Sequence, residues 1–233
     1  MTEAERQTIL LRAKNFFRTK IAENHRNNTA KLTSLSAFKV NPFLHKYLAQ
    51  FAFGNSTPDS MAKALIYPRI LGTSITTTFG TQLQQFCNEV LESFASTTSG
   101  IDIEFIDVTD GRKKYCQVKA GPNTINHDDV TTIVNHFQGV RRLARTNGLG
   151  LQMTDCIVGV FYGTEGELSQ HYKRINEDYP VYVGVDFWYR LTGDQHFYGD
   201  LIDAFAEVAD EMDSSNLISN IIERLADEIQ QEN

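Results

Sequence analysis

The periodicity of the chain changes once, at Ser99-Gly100, and that change limits the fold more than any other feature of the sequence. Before it, apolar residues recur at helical steps of three and four. After it, IDIEFIDV (residues 101–108) alternates with period two and is rich in β-branched side chains, as a half-buried strand requires. TDGR (109–112) supplies the Asp-Gly turn of a hairpin, and KKYCQVKA (113–120) is its second strand. GPNT continues neither a strand nor a helix. DDVTTIVNHFQGVRRLA (128–144) then reads as a helix, with acids in its first turn and Arg141, Arg142 and Arg145 near its end, both favourable to the helix dipole. DCIVGVFYG (155–163) is a short apolar run suited to a central strand, PVYVG (180–184) a further strand, and VDFWYRLTG (185–193) a short amphipathic helix. Between these two strands lies a polar loop, and everything from Asp200 onward is helical in pattern. Together these elements predict the α/β class, a mixed β-sheet flanked by helices.

The first hundred residues read as wholly helical. Ile9, Leu10, Ala13, Phe16, Phe17 and Ile21 mark one amphipathic helix from Glu3 to about Asn24. Asn41-Pro42 caps a short helix through Tyr47 and Phe51, and SerThrProAsp at Ser56–Asp59 starts another, which Pro68 should end or kink. A Thr-rich turn at Thr73–Thr78 leads to a helix over residues 79–95 that turns Leu83, Phe86, Cys87, Val90, Leu91 and Phe94 inward.

A net charge of −7 argues against a nucleic-acid partner only until its distribution is read. Residues 1–50 hold nine Lys/Arg against three Asp/Glu, whereas residues 200–233 hold ten acids against Arg224 alone. The acidic tail hides a basic front half, and local fields decide where a phosphate goes. Cys87, Cys116 and Cys156 lie far apart in apolar surroundings, without zinc spacing, and read as buried free thiols. No apolar run is long enough to span a membrane and the N-terminus has no signal-peptide pattern, so a cytoplasmic protein is expected.

Strand alternation places Asp102, Glu104 and Ile106 on one face of the first strand and Tyr115, Gln117 and Lys119 on one face of the second. If the strands pair, two carboxylates, an amide oxygen and an ammonium meet. Hard oxygen ligands of this kind suit Mg²⁺, and a lysine beside them can position a water and offset charge on a phosphate. Other features point nowhere: His127 and His136 are nine residues apart, wrong for a metal pair on a helix, Gly148-Leu149-Gly150 opens no helix after a strand, there is no GxSxG elbow, and Trp188 reads as core.

Asp102 followed at a distance by Gln117-Val118-Lys119 resembles the PD-(D/E)xK nuclease motif, with Gln117 where a second acid is usual. In order along the chain, VNPFLHKY, the Pro-Arg and Gly of YPRILG, the DGR turn, VKAG with the following threonine, IVGVFYG and VYVGVDFWYRLTG resemble a family of type II restriction endonucleases that cut GC-rich interrupted palindromes of the RGGNCCY kind. The resemblance implies a restriction-endonuclease-like PD-(D/E)xK sheet over residues 99–199, a helical region over 1–98 for DNA-backbone contact or dimerisation, and acidic C-terminal helices over 200–233. It implies Mg²⁺-dependent hydrolysis of double-stranded DNA by a homodimer, in a restriction-modification system whose methyltransferase acts on the same site. Asp102 would be the metal-binding aspartate and Lys119 the motif lysine. Gln117 and Glu104 would complete the metal shell, with Glu104 supplying the charge that Gln117 lacks and Asp107 a weaker substitute. Lys173 and Arg174 would read bases from a loop, Thr124 and Asn126 would meet phosphate at a helix start, and Lys31, Lys39 and Lys46 would fix the backbone register. The alternatives on the same superfold are a non-catalytic DNA-binding module and a structure-specific repair nuclease.

Overall fold

The computed structural model describes residues 1–232; Asn233, the last residue of the acidic tail, lies outside the described residues. The elements in chain order are α1 (Glu3–Phe16), α2 (Glu23–Thr29), α3 (Pro42–Phe53), α4 (Pro58–Pro68), α5 (Ile75–Glu89), β1 (Ile103–Ile106), β2 (Lys113–Lys119), α6 (His127–Thr146), β3 (Cys156–Val160), α7 (Gln170–Asn176), β4 (Val181–Val183), α8 (Val185–Thr192), α9 (Phe197–Glu211) and α10 (Ser215–Glu232). The chain groups into two compact units, one of Met1–Phe16 with Gly80–Phe205, the other of Phe17–Phe79 with the segment from Ala206 onward. No helix is long and apolar enough to cross a membrane among the described residues.

The first unit is built on a four-stranded sheet of order β1-β2-β3-β4, in which β1 and β2 are antiparallel and the other pairs parallel. The mixed α/β architecture read from the sequence is therefore present. Both sheet faces are covered. On one, Val158 and Val160 of β3 pack with Ile133, Phe137 and Val140 of α6 and with Tyr172 and Ile175 of α7. On the other, Gly159 lets Phe187 approach so closely that a Cβ would come within 2.2 Å of its ring. Trp188 is fully buried as core, stacked edge-on to Phe161 at 4.9 Å, and its indole N–H donates to the Phe161 carbonyl at 2.9 Å. Cys87, Cys116 and Cys156 are free and buried, as their apolar context predicts.

The second unit is helical, with Ala62, Ile66 and Ile70 packed against Ile221, Ile222, Leu225 and Ile229. Asn41 caps α3 by accepting the Phe43 N–H at 3.0 Å, and Thr57 caps α4.

Several local expectations fail for identifiable reasons. Pro68 ends α4 as expected, but no break follows and Thr73–Thr78 is no turn: a π-helical stretch, Arg69–Ser74, begins directly after Pro68 and runs into α5. The Thr76 and Thr78 hydroxyls donate back to the Gly72 and Ser74 carbonyls at 2.9 Å, so the threonines are satisfied within the helix. Helical structure after α1 continues through a second π stretch, Phe17–Ala22, to Thr29, beyond the expected stop at Asn24. The helix expected over 79–95 stops at Glu89, with a separate 3₁₀ turn at Glu92–Phe94. The tail is interrupted between Glu211 and Ser215.

Candidate active site at the open end of the hairpin

The β1–β2 pair has a closed end at the Asp-Gly turn and an open end where β1 begins and β2 finishes. Asp102 and Lys119 are both at the open end, Asp102 one residue before β1 and Lys119 the last residue of β2. The Asp102 carboxylate, rather than a backbone carbonyl, accepts the Val118 N–H at 2.7 Å, so the side chain takes over where strand pairing lapses. Burial pushes this carboxyl above its usual range. The Val118 N–H, Lys119 and Gln84 all pull the other way without cancelling the burial. Its direct bonds are to Val118 and Gln84, while Lys119 acts through space.

Alternation does not carry Asp102 to the face of Glu104. Ile101 lies in the α6-side core with Val158, whereas Ile103 stands opposite Cys116 in the ladder. The alternation breaks between them, and Asp102 reaches Gln84 of α5, close enough for its charge to be felt at Cys87 and Cys116. Glu104, opposite Tyr115, spends both oxygens elsewhere. Its Oε1 accepts from the Ser96 and Thr98 hydroxyls at 2.5 and 2.7 Å, and its Oε2 pairs with Lys113 Nζ at 2.6 Å. Burial raises the Glu104 carboxyl, but Lys113 and the two hydroxyls outweigh it and hold the group below its usual range. Asp107 is buried in an ion pair with Arg190 at 2.9 Å and accepts from the Thr109 hydroxyl at 2.7 Å.

Gln117 is 5% exposed, so the polar side of the hairpin is not the open face its residue types imply: α6 covers it. The Gln117 side-chain nitrogen donates to the Gly100 carbonyl and lies 2.6 Å from His136 Nδ1 of α6. His136 and Gln84 are neighbours of the site that the sequence reading did not place there. Linear spacing carries no signal for either, because each arrives from a helix outside the β1–β2 pattern, α6 for His136 and α5 for Gln84.

The DNA-contact candidates are dispersed. Lys173 and Arg174 are exposed in the last turn of α7, not in a loop; a Tyr172 and Ile175 pair facing the core makes this segment a helix. The Thr124 hydroxyl donates to the Gly121 carbonyl at 2.8 Å, within its own turn. Asn126 caps α6, accepting the Asp128 and Asp129 N–H groups at 2.8 and 3.0 Å, and Asp129 returns a bond to the Asn126 N–H. The start of α6 is thus satisfied by its own capping box, Asn126 accepting from the first-turn amides and the Asp129 carboxylate accepting from the Asn126 N–H. Lys31, Lys39 and Lys46 are all exposed in the helical unit.

A divalent cation fits the open end through Asp102. Its carboxylate is half-buried, without a directly bonded cation, and carries the desolvation that a bound ion would relieve. No group of three or more His, Cys, Asp or Glu is arranged for a metal among the described residues. Water and DNA oxygens would have to complete the shell, which suits an ion that keeps its waters.

No curated protein matches the chain. Residues 12–213 match the family described as Type II restriction endonuclease EcoO109I, a span that includes the whole sheet and most of both units. Proteins of this kind bind DNA and cleave it site-specifically as hydrolases. The chain belongs to the EcoO109I family of type II restriction endonucleases.

Proposed function

We propose that the enzyme is Mg²⁺-dependent, that Asp102 and Lys119 are the aspartate and lysine of a PD-(D/E)xK site, and that a homodimer cuts a GC-rich interrupted palindrome of the RGGNCCY kind. The observation that carries this reading is that a half-buried carboxylate with a raised pKa stands at the same strand end as a lysine whose charge reaches it through space. Asp102 would hold the cation, and Lys119 would position the attacking water and offset charge that develops on the phosphate. The chemistry a cation would supply there is Lewis-acid activation of the phosphate and of water. Gln117 brings an oxygen but no charge. Glu104 stays with Lys113 and shapes the hairpin, not the metal shell.

The homodimer follows from a two-fold site read by a two-fold protein. The exposed aromatic face of α3, where Phe43 is 91% and Phe51 76% accessible, favours a second copy as partner. Lys173 and Arg174 contact DNA from α7, and Lys31, Lys39 and Lys46 contact it from the helical unit.

The test is digestion of phage DNA by the purified protein in Mg²⁺. Discrete fragments whose ends share a GC-rich palindrome are expected, with none formed when EDTA replaces the metal. Intact DNA at high enzyme concentration overturns the reading, and fragments with unrelated ends overturn the palindrome.

A further inference from the structure

We propose that His136 is a positioning residue for Gln117: its Nδ1, together with the Gly100 carbonyl, commits the amide nitrogen so that the oxygen is what Gln117 offers to the reaction. This rests on the open end being the active site.

The orientation is forced by donor and acceptor chemistry. The Gly100 carbonyl only accepts, so the Gln117 group bonded to it must be NH₂. The same nitrogen lies 2.6 Å from His136 Nδ1, which must then accept as well. His136 is thereby held as the tautomer with its proton on Nε2. Both donors of the amide are used, and its oxygen, on the same carbon, is turned away from both partners.

The three residues also fit sterically. Gly100 has φ +76°, and a Cβ there would fall 2.5 Å from the His136 ring. Glycine is required both by the backbone conformation and by the approach of the imidazole. Gln117 itself is buried, so an amide free to flip would strand a donor or an acceptor away from water. A neutral amide at the place of a motif acid lacks the charge that would orient it toward a cation. The imidazole supplies that orientation from the opposite side.

Two measurements test the proposal. On the isotope-labelled wild-type protein, nitrogen NMR of the imidazole is expected to show the Nε2–H tautomer for His136 and a downfield-shifted Gln117 amide proton. Finding the proton on Nδ1 overturns the proposal whether or not DNA is cut. In Mg²⁺ with phage DNA, His136→Leu is expected to lower the single-turnover cleavage rate about 10-fold with little change in DNA affinity. His136→Asn, whose Oδ1 can accept from the same NH₂, is expected to recover most of that loss and restore the shifted amide signal. Cleavage by the Leu variant at the wild-type rate, or equal loss in Leu and Asn variants that melt like wild type, overturns the positioning role alone. A wild-type protein that cuts no DNA under any condition removes the nuclease reading and this role with it.

Discussion

The two ends of one strand pair put the same residue types to opposite uses. At the closed end, each buried acid has a cation in contact: Asp107 with Arg190, and Asp155, 1% exposed, with Arg112 and, at 3.6 Å, with Lys114. Lys114 is itself fully buried and donates to Asp110 at 2.6 Å and to the Thr154 carbonyl at 3.1 Å. Arg112 and Gln152 hold Asp155 below the usual carboxylate range in spite of its burial. At the open end, Asp102 is pushed above that range, and its lysine acts from a distance. Paired charges lock the turn to the start of β3. An under-compensated carboxylate costs stability and is left able to bind something positive.

Removing the chemistry at the open end should have the largest effect. Asp102→Ala and Lys119→Ala are expected to lower cleavage by at least about 10³-fold, with melting temperatures close to wild type. Wild-type rates in either variant would take that residue out of the reaction.

The closed end should respond in stability instead. Asp155→Ala leaves Arg112 without its acid and the buried Lys114 with Asp110 alone, and is expected to cost about 3–5 kcal/mol in urea unfolding, while cleavage per folded molecule is unchanged. The pH dependence has a defined sign. Because the folded-state pKa of Asp155 is lowered from 3.8, its contribution is complete above that value and is lost as pH falls through the lower folded value. Asp155→Asn should therefore flatten the acid limb of the stability curve. An unchanged limb would mean that other carboxylates carry it.

Glu104→Gln should separate the two ends most finely. With both Glu104 oxygens already used, the expected change is a modest loss of stability from the Lys113 pair, about 1 kcal/mol or less, and an unchanged Mg²⁺ titration of cleavage. A titration shifted to higher Mg²⁺ would place Glu104 in the metal shell after all.

What the sequence determined by itself was whatever depends on neighbours along the chain. The period-two runs, the Asp-Gly turn and the apolar stretch at Cys156–Val160 specify the strands and hence the mixed sheet, because side-chain periodicity is a local property. They also bring Asp102 and Lys119 to the same strand end, since antiparallel pairing relates the start of one strand to the finish of the next. Tertiary structure alone decided which way Asp102 faces, because one irregular residue before β1 breaks the alternation from which its direction was read. It also decided that Lys113 and two hydroxyls occupy Glu104, and that α5 and α6 bring Gln84 and His136 to the site. These are contacts across the sheet, set by how helices pack on it, and no spacing along the chain encodes them.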